Sequence, residues 1–190
     1  MGDQDKAAKL ADYRRRIADL RREMRALRAA AEPEEVCDYT FATPKGSVRL
    51  SDLFGARRDL IIIHNMGASC PYCTLWADGY NGIYHHLAER AAFVVSSPDA
   101  PDVQQAFAAG RGWRFPMVSH MTSTFATDMG YRSENGGWLP GVSVFKMDGS
   151  RILRVSDSPC DFGDDFCVLW RLFDLLPEGA KGFRPKLRYG

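Results

Sequence analysis

Near the N-terminus the apolar positions Leu10, Tyr13, Ile17, Leu20, Met24 and Leu27 recur at alternating spacings of three and four among charged neighbours. That is an a/d seam, the pattern of a helix that buries one narrow stripe. Glu32-Pro33 ends it, because the residue before a proline avoids the helical region. Two uses of the stripe stand open: docking on the chain's own domain, or pairing with a second copy.

Beyond Pro33 the period changes. Residues 39–41 and 48–50 read as short strands around Pro44-Lys45-Gly46, and 51–54 as one capped helical turn. Residues 59–64 form a short continuous apolar run, the mark of a central strand buried on both faces. A helix is predicted over 72–90, a second buried strand over 92–96, and a helix over 101–109 with Pro101 in its first turn and Gly110 closing it. An extended 115–118 and a short helix around Thr124 follow. Strands 142–146 and 151–155 are joined into a hairpin through Asp148-Gly149, and a last amphipathic helix runs over 164–176, stopping near Pro177 and Gly179. The order predicts an α/β fold with a mixed central sheet, helices on both faces and an extra N-terminal amphipathic helix. The expected division is 1–35 for the basic helix and an acidic hinge, 36–180 for the domain, and 181–190 for a tail.

Composition narrows the function classes. Hydrophobic residues make 45% of the 190 and charged residues 26%, ordinary globular values that exclude collagen-like and wholly disordered chains. Lys plus Arg number 25 against 24 Asp plus Glu, so no global basic field exists to hold nucleic acid or an anionic membrane. The apolar run 60–63 is far too short to span a bilayer, and the charged N-terminal stretch predicts no secretory signal, so a soluble, cytoplasmic protein is expected. The charge is segregated: residues 1–31 carry a net +4 and residues 32–38 a net −4. A basic helix beside an acidic hinge reads as self-complementary.

Five cysteines, an odd number, do not suggest a disulfide framework in a chain of this size. The informative pair is in Cys70-Pro71-Tyr72-Cys73, directly after the buried strand and at the start of the long helix. There the first thiol meets unpaired backbone N–H groups and the positive end of the helix dipole, which favour thiolate, the species that attacks a disulfide or a peroxide. Cys70 is thus the expected nucleophile and Cys73 the resolver, with Pro71 restricting the approach between the sulfurs. The rival is a metal site. Cys160 and Cys167 are spaced by seven, unlike a usual ligand knuckle, while His64, Met66, Cys70 and Cys73 form a set for copper(I) or zinc. Asp78, five residues beyond Cys73, is either a proton acceptor for the resolving thiol or half of a surface ion pair. Trp76 and Trp113 are core or site walls; His85 and His86 are read as surface residues, His120 is undetermined, and Cys37 is a bystander. Cys160 and Cys167 are a second redox relay or buried thiols.

The segment Pro140-Gly-Val-Ser-Val-Phe145, followed by Lys146-Met-Asp-Gly149, resembles the thioredoxin segment in which a cis-proline opens a strand and sets backbone groups beside the active disulfide; Pro116 is the rival candidate. More broadly, the succession Tyr39-Thr-Phe41, Leu50-Ser-Asp-Leu-Phe54, His64, Cys70-Pro-Tyr-Cys73, Trp76-Ala-Asp78, Gly112-Trp113-Arg-Phe-Pro116, Val118-Ser119, Phe125, Asp128 and Gly141-Val-Ser-Val-Phe145 resembles a bacterial thioredoxin-like family of uncharacterised proteins, described as predicted dithiol–disulfide oxidoreductases. The tetrapeptide is similar to that of glutaredoxins, and Phe115-Pro-Met-Val-Ser119 to a stretch in peroxiredoxins. Departures are Pro159-Cys160 after the hairpin and a shorter path from His64 to Cys70. The resemblance implies a thioredoxin-like fold over residues 36–180 and dithiol exchange through a mixed disulfide, with Cys70, Pro71, Tyr72, Cys73, Asp78 and Pro140 at the site. The partners are then a protein or small-molecule disulfide and a thiol electron donor. No nucleotide, flavin or haem motif is present, so no cofactor is expected. A peroxiredoxin-like peroxidase, a soft-metal module and a binding domain without turnover are the alternatives, and a homodimer through the N-terminal helix is the expected assembly.

Overall fold

The computed structural model describes residues 2–190. Helix α1 (Asp3–Ala30) forms over the seam, yet no residue of it is buried. Its stripe stays open, from 44% exposed at Leu10 to 73% at Leu27. The helix is tied to the domain through Arg21, whose guanidinium donates to both oxygens of Asp165 at 2.9 and 3.2 Å. Docking of the stripe on its own domain is therefore not what this chain does.

The acidic segment is not a hinge. Residues Glu34–Val36 form strand β1, which lies antiparallel on β8 (Arg151–Pro159) with Glu34 opposite Arg154. The paired cations explain it: Arg154 and Arg151 meet Glu34 and Glu35 at 3.7 and 3.9 Å. β2 (Thr40–Thr43) and β3 (Gly46–Arg49) make a hairpin, and a 3-10 turn (Ser51–Phe54) leads into β4 (Asp59–His64). Then come α2 (Pro71–Arg90), β5 (Ala92–Ser97), α3 (Pro101–Arg111), β6 (Met117–Ser119), α4 (Phe125–Asp128), β7 (Gly141–Asp148) and α5 (Val168–Phe173), with β8 preceding α5. The sheet has eight strands in the order β1-β8-β7-β4-β5-β6-β2-β3. β4, β5 and β6 are parallel, and the rest are antiparallel. Among the described residues no helix is long and apolar enough to cross a membrane.

Alternation along the central strands splits the core into two layers. Leu60 and Ile62 of β4 and Val94 of β5 pack with Phe41, Phe125 and Phe145 on one face. Ile63, Phe93 and Val95 pack on the other with Trp76, Ala77 and Tyr80 of α2 and Trp170 of α5. Two helix ends differ from expectation. Helix α3 runs past Gly110 and closes at Gly112, whose φ of 67° is the left-handed cap that a glycine reaches without strain. The last helix is short because residues ahead of it fold around Asp164, whose Oδ1 accepts from the N–H groups of Phe166 (2.9 Å) and Cys167 (3.2 Å); such side-chain bonds compete with helix. The C-terminal segment is held too, with Leu187 accepting from Arg111 at 2.9 Å.

The layer facing away from α2 holds two buried histidines. His64 stacks on Tyr131, ring centroids 3.7 Å apart, and shares a 2.9 Å hydrogen bond with Ser143. Tyr131 in turn lies so close over Gly141 that a Cβ there would overlap its ring and stand 2.8 Å from the Ser158 carbonyl. His120 shares a 2.9 Å bond with Ser96. Burial, the largest cause, pushes His64 well below the usual histidine range and His120 down to about 4. Both are thus neutral when folded, while an unfolded histidine takes its proton near 6.5. Stability should be full above that pH and drain as pH falls towards 4, by at most about 1.4 kcal/mol per unit for each imidazole. Urea unfolding along a pH series checks this, and His120→Asn should flatten the slope.

Candidate active site

Strand β4 delivers the chain to a short loop, and the loop delivers Cys70 to the start of α2. Asn65 begins it, its N–H donating to Ser96 O at 2.9 Å and its side-chain oxygen accepting from Gly67 N–H at 2.8 Å. Asp99, just past β5, accepts from Ala68 N–H at 2.8 Å. Gly67 is required twice over: its φ is 108°, and an added Cβ would stand 3.0 Å from the Asp99 carboxylate. The Gly67 carbonyl then accepts from Cys70 N–H at 3.1 Å.

Cys70 is the N-cap of α2, in extended conformation, and Pro71 opens the helix. The Cys73 N–H donates to Cys70 Sγ at 3.2 Å, so sulfur takes the place usually held by a capping oxygen. Cys70 is partly exposed and Cys73 only 3% exposed behind it. Both are free thiols. The Met66 N–H reaches Cys73 Sγ from the loop at 3.4 Å. The Cys73 thiol donates to Cys70; with the backbone N–H groups of Cys73 and Tyr72 it outweighs burial and brings Cys70 down to about 6. The same bond, then burial and the charge on Cys70, hold Cys73 far above an ordinary thiol. At neutral pH the pair carries one proton, on the inner sulfur.

Cys73 lines a narrow pocket of about 10 Å³ with Trp76, Tyr80, Pro140 and Cys160, and Trp76, Pro140 and Cys160 also line an apolar groove of about 440 Å³. Met66, Tyr72, Trp76, Leu139, Pro140 and Phe162 wall the groove. Pro140 thus stands beside the site, but the expected cis bond is corrected: no peptide bond among the described residues is cis. The backbone around it is already engaged. Leu139 N–H donates to Tyr131 O at 2.9 Å, and the Pro140 carbonyl accepts from Cys160 N–H at 3.1 Å.

Asp78 is held elsewhere. Its carboxylate takes a forked ion pair from Arg111 and the indole N–H of Trp113 at 2.8 Å, pinning α2 to the end of α3. That is the ion pair of the two roles left open, not a contact to Cys73. The metal set does not assemble either. The His64 ring packs in the opposite layer, and no group of three His, Cys, Asp or Glu among the described residues is placed to hold a metal ion. His85 is exposed and bonds Arg114, and His86 is exposed too. Trp76 is both core and wall: it is 5% exposed, lines the pocket, and donates its indole N–H to Asp164 at 3.2 Å.

Sequence reasoning missed Tyr80, Asp99 and Asp164. Tyr80 follows Cys73 by seven, two turns along the same face of α2, so helical spacing contains the signal. Asp99 acts on Ala68, distant in sequence, and no local pattern marks it. Asp164 bonds locally to Phe166 and Cys167, which a side-chain turn signal contains, but its bond to Trp76 is distant. Alkylation of Cys70 should follow a midpoint near the thiolate value of about 6, with Cys73→Ala moving it upward. Iodoacetamide rates along a pH series, read by mass spectrometry on the Cys70 peptide, test this; an unmoved midpoint would assign the shift to the helix start alone.

Among solved structures the fold is similar to a cysteine-to-serine mutant of Peroxiredoxin Q from Xanthomonas campestris, at 18% identity over 63% of this chain and 79% of that one, TM-score 0.53. It is also similar to Peroxidoxin BcpB from Mycobacterium tuberculosis, at 26% identity over 68% and 86%, TM-score 0.56. Reduced Prx3 from Vibrio vulnificus matches at 16% identity over 70% and 90%, TM-score 0.54. These likenesses establish a thioredoxin-like fold of the peroxiredoxin kind. No curated protein matches the chain. A family model described as a bacterial protein of unknown function, DUF899, matches residues 5–186, nearly the whole chain, and this protein belongs to that family.

Proposed function

We propose that this protein is a thiol–disulfide oxidoreductase working through Cys70 and Cys73. The observation that carries the reading is the paired thiol at the start of α2: a partly exposed sulfur stabilised as thiolate and a buried one holding the proton. The Cys70 thiolate attacks a substrate disulfide, forming a Cys70–substrate bond and releasing one substrate thiolate. Two of the causes that keep Cys73 protonated, its bond to the Cys70 anion and that anion's charge, vanish at this step. Cys73 then gives its proton to the departing substrate sulfur and closes the Cys70–Cys73 disulfide. The substrate gains two electrons, the dithiol loses two, and a thiol donor restores it. The timing is built in, because the resolver is activated only once the nucleophile has reacted.

A second reading has its own support. The similar structures include proteins named as peroxiredoxins, and the same Cys70 thiolate would serve a peroxide. Cys70→Ser should cost either activity more than about 10³-fold, as loss of a nucleophile does. Cys73→Ser should instead accumulate a mixed disulfide, visible as added mass on the intact protein. Parallel turnover of glutathione disulfide and hydrogen peroxide with one thiol donor separates the readings. Retained turnover in Cys70→Ser would sink both.

We also propose that α1 pairs with a second copy through its open stripe. A helix of this length spans roughly 42 Å, enough for three heptads in contact. Lys9, Arg14, Arg16, Arg21 and Arg28 flank the stripe with Glu23. Asp12 and Asp165 neutralise Arg16 and Arg21, yet the flanks stay net basic, so pairing is weakened at low ionic strength. Solution mass should rise towards that of a dimer with salt, and removal of residues 1–31 should hold it at one chain throughout. A constant monomer mass for the full chain excludes the pairing.

A further inference from the structure

Cys160 is a thiol that the mechanism so far leaves idle, and with Pro159 it is one of the two points at which the chain departs from the family pattern it resembles. It directly follows β8, buried to 8% exposure, its N–H fixed on the Pro140 carbonyl. Its side chain lines the same narrow pocket as Cys73, a space with room for no more than about one water. It also lines the apolar groove, with Pro159 and Phe162 beside it. Cys73 therefore has two thiols near it: Cys70 at the helix start, and Cys160, which shares the narrow pocket with it.

We propose that Cys160 is a third redox thiol, which takes Cys73 over from Cys70 by exchanging the Cys70–Cys73 disulfide for a Cys73–Cys160 disulfide. The step rests on the dithiol reading above. Cys160 sulfur attacks Cys73 sulfur, the Cys70–Cys73 bond breaks, Cys70 leaves as thiolate and the Cys160 proton passes to solvent. No electrons are gained or lost overall, so no further oxidant is needed. Cys70 is a good leaving group because the N–H groups of Cys73 and Tyr72 still stabilise its anion. The exchange separates the half-reactions in space. Oxidant is met at the helix start, and the thiol donor meets the oxidised bond from the groove, at the Cys160 end.

The exchange releases one proton, and the groups facing Cys160 decide when. Burial, then the Asp164 charge from the loop before α5, push its thiol up to about 12, while the Tyr80 hydroxyl from α2 opposes them. Cys167 lies beyond Tyr80 and is itself raised by burial. Cys160 is thus protonated before attack at every ordinary pH, whereas the freed Cys70 is an anion above its own pKa. The ratio of Cys73–Cys160 to Cys70–Cys73 disulfide should rise with pH, approaching tenfold per unit above the pKa of the freed Cys70.

The experiment is disulfide mapping. Wild-type protein is oxidised with one equivalent of diamide along a pH series, quenched by acid, alkylated and digested for mass spectrometry. Both disulfides are expected, with the inner one gaining as pH rises, and Cys70→Ser should yield Cys73–Cys160 directly. A wild type that shows Cys70–Cys73 alone at every pH overturns the relay and leaves the dithiol reading standing. A wild type that forms neither Cys70–Cys73 nor Cys73–Cys160 disulfide overturns the dithiol reading instead. Should Cys70→Ser fail to fold, the wild-type series decides alone.

Discussion

The proton that Cys73 directs at Cys70 organises this molecule's chemistry, and it depends on a backbone that cannot move far. For the inner thiol to face the outer one, the loop after β4 must turn tightly enough to bring Met66 N–H onto Cys73 and Cys73 N–H onto Cys70. Asn65, Gly67 and Asp99 enforce that turn through side chain-to-backbone bonds between the ends of two parallel strands. The loop is therefore tied to the sheet that bears it. On the proposed reading, a nucleophile so placed would lose little entropy on meeting a substrate, because its orientation is fixed before the encounter.

The two layers of the core divide the labour. On the α2 side the apolar cluster includes Trp76, Tyr80, Cys160, Cys167 and Trp170, so the sulfur atoms sit in a poorly solvated setting that keeps the inner thiols protonated. On the opposite side buried His64 is paired with Ser143 of β7 and buried His120 with Ser96 of β5. Two carboxylates brace the α2 layer: Asp78 pins the helix to α3, and Asp164 joins the Trp76 indole to the loop before α5.

Much of this was legible in the chain itself. Continuous apolar runs gave away β4 and β5 because both faces of a central parallel strand are covered, and Cys70-Pro-Tyr-Cys73 stood between strand and helix where a thiolate gains most. The cis character expected of Pro140 was illegible, since isomer choice depends on neighbours such as Tyr131 and Cys160 that arrive from elsewhere. Asp78 had two roles compatible with its spacing, and only the approach of Arg111 and Trp113 decides between them. The final helix was over-extended because its apolar period continues through a segment whose backbone bonds go to Asp164 instead. The a/d seam of α1 was correctly a helix, but periodicity alone does not say what covers a stripe.

The acidic run before the domain has a role its composition did not suggest. An eight-stranded open sheet has two edges, each a row of unpaired backbone groups on which another chain could add a strand. At one edge the exposed Glu34 and Glu35 of β1 face the arginines of β8, so an incoming strand would have to strip or bury those charges. At the other, four-residue β3 ends in Arg49, engaged by Asp38 and Asp52. Both borders are thus short and ionic, which shields a protein with a broad apolar sheet from aggregating edge to edge.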